Sequence, residues 1–172
     1  MNWLVVVLRL LHVFFGVFWG GSVFTMARFV LPTAAASGAE GQRFMRRLAL
    51  ERGLTRTMVV AGVITVLAGL ALMWHDSAGF QPYWMTSGFG VTISVGGLAA
   101  IGALVTGIRS AMLTARLGRL LGAIEAAGGA PSAEQLAEAQ GIGARIAGRV
   151  RAVAVQLVIA VVCMAVARYV AF

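Results

Sequence analysis

Four apolar runs decide what this chain can fold into. They cover roughly residues 3–30, 57–74, 85–108 and 152–170. Each is long enough to cross a hydrocarbon core of ~30 Å as a helix rising ~1.5 Å per residue. Polar and apolar residues do not alternate along them, which argues against a membrane β-barrel. Only 12% of the residues are charged, where a soluble domain has about a quarter. The expected fold class is all-α: a polytopic membrane protein, with residues 1–172 forming one four-transmembrane-helix bundle.

The links between the runs orient them. There is no lysine, and the basic residues are 14 arginines against six acids. The first long link carries Arg43, Arg46, Arg47, Arg52 and Arg56. The second carries Arg109, Arg116, Arg119, Arg145, Arg149 and Arg151. With Arg28, 12 of the 14 arginines fall on one side, while the short link HDSAGFQPYW has none. The positive-inside rule puts both long links in the cytoplasm and both termini outside. The high pI of about 11.6 therefore does not point to nucleic acid. These arginines flank apolar spans, where they set topology and meet anionic lipid headgroups. Trp74, Tyr83 and Trp84 around the short link suit an aromatic belt at the outer surface.

Within the links, Pro32 is expected to close the first helix. Residues 42–56 read as a helical cytoplasmic extension of span two, and residues 109–120 as a matching extension of span three. Ser132 followed by Gln135 is a capping-box pattern that starts a helix running through Gly141 and Gly143 into span four. The first apolar run is too long for a signal-peptide core and lacks a basic leader, so it is expected to stay as a span. No internal repeat is visible.

Chemistry concentrates in the first helix, residues 8–32, which holds His12, Arg9 and the small residues Gly16, Gly20 and Gly21. An ionisable side chain in a span is costly and marks a candidate site. Neutral imidazole ligates haem iron, copper or zinc; its ordinary alternative is a hydrogen bond to a neighbouring helix. Small residues at this spacing ordinarily serve close helix packing, and they also leave room for a flat cofactor or a partner helix.

Two registers are open. Arg9 and Arg28 bracket 18 residues without a charge, about one bilayer core. With Arg9 at the outer boundary, His12 lies ~4.5 Å below it, near the level of His75, and the two histidines share a cofactor or metal. With Trp3 at the boundary, His12 lies ~13.5 Å deep and they do not. The first spares Arg9 from burial and is preferred. A haem would use His12 as axial ligand, Arg9 near the propionates and His75 as second ligand. Copper would recruit Met73 or Met85, although methionines more often fill gaps in a core. Cys163 stands alone, which excludes an intrachain disulfide. Every acid lies outside the spans, which argues against a buried carboxylate relay.

The run LHVFFGVFWGGSVFTMARFVLP resembles the first helix of CopD-like membrane proteins, RFMRRLALERGLTRTMVVAGVITVLAGLALMW their second, and CMAVARYV their last. The wider group is similar to copper-resistance D proteins, to the membrane domain of some urate oxidases and to HemJ-type protoporphyrinogen oxidases. The resemblance implies a four-helix core in a bacterial inner membrane, where the arginine distribution puts the termini in the periplasm. For some members it also implies a haem b or copper site at the first-helix histidine, carried here onto His12. HemJ-type enzymes rely on a lysine in a later helix, and this chain has none. The expectation is thus a CopD-like protein that binds a redox cofactor, most simply haem b, near His12 for electron transfer. The alternatives are a non-catalytic, cofactor-free subunit of a respiratory or photosynthetic membrane complex (or a homo-oligomer) and copper handling.

Overall fold

The computed structural model describes residues 2–128 and 130–170. Everything ordered in them is helical, with no strand among the described residues. α1 (Trp3–Thr25) passes through a π-helical turn (Met26–Val30) into α2 (Leu31–Ala36). Pro32 therefore does not end the first helix. A proline lacks the N–H for its i−4 carbonyl and crowds that carbonyl; the widened turn just before it takes up the mismatch. The chain bends at Gly38 and continues as α3 (Gly38–Arg46) and a second π turn (Arg47–Glu51).

α4 (Leu54–Asp76) follows after a break. Gly53 sits at φ +69°, a left-handed conformation that glycine adopts without a Cβ clash. The basic stretch expected to prolong span two is thus a separate helix. After α5 (Pro82–Met85), α6 (Gly88–Ala126) and α7 (Ala133–Val166) form a long hairpin that ends in a 3-10 turn (Ala167–Tyr169). Span three begins at Gly88 rather than Met85, because Ser87 caps it by accepting from the Gly90 N–H. The Ser132–Gln135 capping box is present in both directions.

Among the described residues, four helices are long and apolar enough to cross a membrane: Trp3–Ala36, Leu54–Asp76, Gly88–Ala126 and Ala133–Tyr169. α1 packs on α4, α4 on α6, α6 on α7, and α7 returns to α1. Trp19, Val23, Ala61, Ala103, Val153 and Leu157 form the buried core where all four meet. Trp19 fits because Gly62 faces it: a Cβ there would stand 2.9 Å from the indole.

At 39 residues, α6 is ~58 Å long, nearly twice a hydrocarbon core of ~30 Å. α6 and α7 therefore project beyond the spans at the arginine-rich end. There Arg116 donates to Glu138 at 2.6 Å and Arg149 to the Arg109 carbonyl at 2.8 Å. Arg46 donates to Glu125 at 2.6 Å and fastens α3 to this hairpin. That hydrogen bond, and then the Glu125 charge, raise the Arg46 guanidinium above its ordinary pKa.

Candidate functional site

The polar side chains of the first span meet α4. His12 Nδ1 lies 2.8 Å from the Thr65 carbonyl oxygen. A carbonyl only accepts, so Nδ1 carries the proton, and in the neutral ring Nε2 holds the lone pair. Thr65 is buried, and its own hydroxyl donates to the Ala61 carbonyl at 2.8 Å, so no hydroxyl proton is left facing lipid. One turn further along α4, Gly69 makes the seat for the imidazole: a Cβ there would be 2.7 Å from His12 Cε1. Gly16 sets the next approach, with Thr65 Cγ2 3.4 Å from where its Cβ would stand. Part of the small-residue face of α1 thus works as close packing on α4.

Nearer the end that carries both termini, a second polar group forms. His75 Nδ1 donates to Asp76 Oδ1 at 3.1 Å. His75 Nε2 then accepts from the Asn2 side-chain amide at 3.3 Å. The Arg9 guanidinium stands 3.9 Å from Asp76 Oδ2 with its side chain 65% exposed, a loose contact worth little in itself.

These contacts fix the register of α1 on α4. Asn2 is level with His75, and His12 is level with Thr65 and Gly69. On α4 those positions lie six and ten residues before His75, or about 9 and 15 Å along the axis. The structure therefore does not bring His12 and His75 together, and the preference for one shared level is not met. Arg9 explains the difference. Its long side chain reaches back to Asp76 at the helix end, the snorkelling that lets an arginine start below the boundary. Among the described residues, no group of three or more His, Cys, Asp or Glu is placed to hold a metal ion.

Three polar residues escaped the sequence reading. Asn2 and Thr65 gave no signal, because their roles depend on the pairing of two helices. Gln156 did give one, as a lone amide within an apolar span. Its Oε1 is buried without a hydrogen-bond partner among the described residues, and its Nε2 is 3.0 Å from the Cβ position of Gly102 on α6.

The loop after α4 is strained. Ala78, Gly79 and Phe80 have φ of 50°, 85° and 62°, and a non-glycine residue there costs ~1–2 kcal/mol. Ser77, 1% exposed, holds it: its hydroxyl accepts from the Phe80 N–H at 2.8 Å and donates to the Trp74 carbonyl at 3.3 Å. Phe80 then packs edge-on against Trp74, centroids 5.2 Å apart. Beside this loop an open groove runs between α1 and α4, lined by Leu4, Leu8, Ala71, Trp74, His75 and the loop residues Ala78 and Gly79. No family model, curated protein or solved structure matches the chain.

Proposed function

We propose that this chain is a CopD-like inner-membrane protein of a bacterium in which His12 ligates a redox cofactor, haem b, in an electron-transfer role. The single observation that carries the reading is the His12–Thr65 hydrogen bond. Ligating histidines ordinarily give their second N–H to a carbonyl or carboxylate, which fixes the tautomer and the ring. His12 is held in that way, with Nε2 as its ligating position. A haem there would take one histidine ligand, and His75, engaged by Asn2 and Asp76, is not part of the proposed site. When bound, haem supplies a one-electron couple, while the protein sets the ligand and its surroundings. Arg9 remains the cation closest in sequence for a propionate.

The proposed topology has both termini in the periplasm, supported by the gathering of 12 arginines at the other end, 11 of them in the links. Those arginines are proposed to face the anionic headgroups of the inner leaflet.

The test is the visible spectrum of protein purified from haem-replete cells. The reading predicts a Soret band in the wild type. A colourless preparation contradicts it.

A second reading, a subunit of a larger membrane complex or a homo-oligomer, is favoured by one observation. Leu10, Phe14 and Val17 share a face of α1 and are 65%, 71% and 71% exposed. It predicts a fixed partner or a second copy co-purifying in mild detergent; a stable solitary monomer counts against it.

A further inference from the structure

We infer that the groove between the start of α1 and the end of α4 binds the ring of a membrane quinol, with His75 Nε2 accepting a hydrogen bond from its hydroxyl. The inference stands independently of a cofactor at His12. Leu4, Leu8, Ala71 and Trp74 make the groove apolar, and His75 is the polar side chain in its lining. It lies at the end of α4, beside aromatic residues of the kind that mark a membrane–water interface. An occupant must therefore be amphipathic, with a hydrogen-bonding head at the boundary and an apolar tail along the seam.

The chemistry of His75 selects the head. Asp76 holds the Nδ1 proton, so Nε2 is an acceptor. Its present donor is the exposed Asn2 amide at 3.3 Å, a long hydrogen bond that a ligand hydroxyl readily replaces. A phosphate head is disfavoured. The Asp76 carboxylate, hydrogen-bonded to His75, repels it. A neutral ring bearing hydroxyl groups suits this acceptor. As the quinol it donates to Nε2. Trp74, held edge-on by Phe80, adds an aromatic wall for a flat ring.

The probe is decylubiquinol, a short-tailed quinol kept reduced under argon, titrated into the protein in phosphatidylcholine nanodiscs. Tryptophan fluorescence is the readout, since Trp74 lines the groove. The expected result is saturable quenching, most of it lost in Trp74→Phe. His75→Phe, at a side chain 48% exposed, keeps a ring but removes both nitrogens and should weaken binding about tenfold. Ala71→Phe fills the groove and should abolish saturation; if that variant does not fold, His75→Phe decides alone. Quenching that rises linearly and equally in wild type and His75→Phe overturns the proposal. So does equal competition by decanol, which shows that only a tail is bound. Saturable quenching in protein without a Soret band upholds this site and rejects the cofactor at His12; a Soret band with linear quenching does the reverse.

Discussion

The two halves of the bundle solve the same problem differently. The α6–α7 hairpin is built from two long, uninterrupted helices, opened by the Ser87 cap and the Ser132 capping box and latched beyond the spans by Arg116–Glu138 and Arg149–Arg109. The α1–α4 pair is interrupted by two π turns, Pro32 and Gly53. It also holds polar contacts inside or at the edge of its seam: His12–Thr65, His75–Asn2 and Arg9–Asp76. Buried or interfacial polar groups and irregular turns lower the stability of a membrane helix pair and are kept where a function needs them. The regular half reads as scaffold, and the irregular half is the one that carries both proposed sites. Gln156 stands out on the scaffold side, its buried Oε1 without a partner among the described residues.

The contrast can be tested by substitutions of decreasing effect. Trp19→Ala removes the side chain on which both pairs converge and should cost about 3–5 kcal/mol in detergent unfolding. A loss below about 1 kcal/mol would mean that the core does not join the halves, since large core truncations in packed sites cost more. Gly69→Ala drives a Cβ against the His12 ring and should cost about 1–3 kcal/mol. The matched change Gly107→Ala on α6, where a Cβ meets nothing within 4 Å, should be neutral or stabilising by up to ~1 kcal/mol. Equal effects at the two sites would erase the distinction between seam and scaffold.

Ser132→Ala should cost about 1 kcal/mol. That loss should be read as faster hydrogen exchange in the first turn of α7, with the α1–α4 seam unchanged. Arg116→Gln breaks an exposed pair with Glu138 and should cost less than ~1 kcal/mol. Titrating salt should shrink that difference further.

Much of this was legible in the sequence. The spans followed from the length of the apolar runs, and the start of α7 from Ser132 and Gln135, because both signals are local. The stems of spans three and four were legible for the same reason. The end of the first helix was not. Pro32 ordinarily stops a helix, and the π turn that accommodates it has no side-chain signature here. The stem of span two was misjudged because helical spacing continues across Gly53, whose positive φ breaks the helix. The level of His12 was undecidable from the stretch between Arg9 and Arg28, since an arginine that snorkels does not mark the boundary at its own Cα. Only the pairing of Asn2 with His75 and of His12 with Thr65 fixes that register. Residues 78 and 80 gave no hint of positive φ, because an alanine and a phenylalanine adopt it here only under the hold of Ser77 and Trp74.

The central claim is that the two histidines serve different purposes, with His12 alone holding the cofactor. It is tested most directly by reduced-minus-oxidised difference spectra of wild type, His12→Ala and His75→Ala purified side by side. The account predicts a haem signal that disappears in His12→Ala and persists with unchanged band positions in His75→Ala. A signal retained in His12→Ala, or lost equally in both variants, would contradict it.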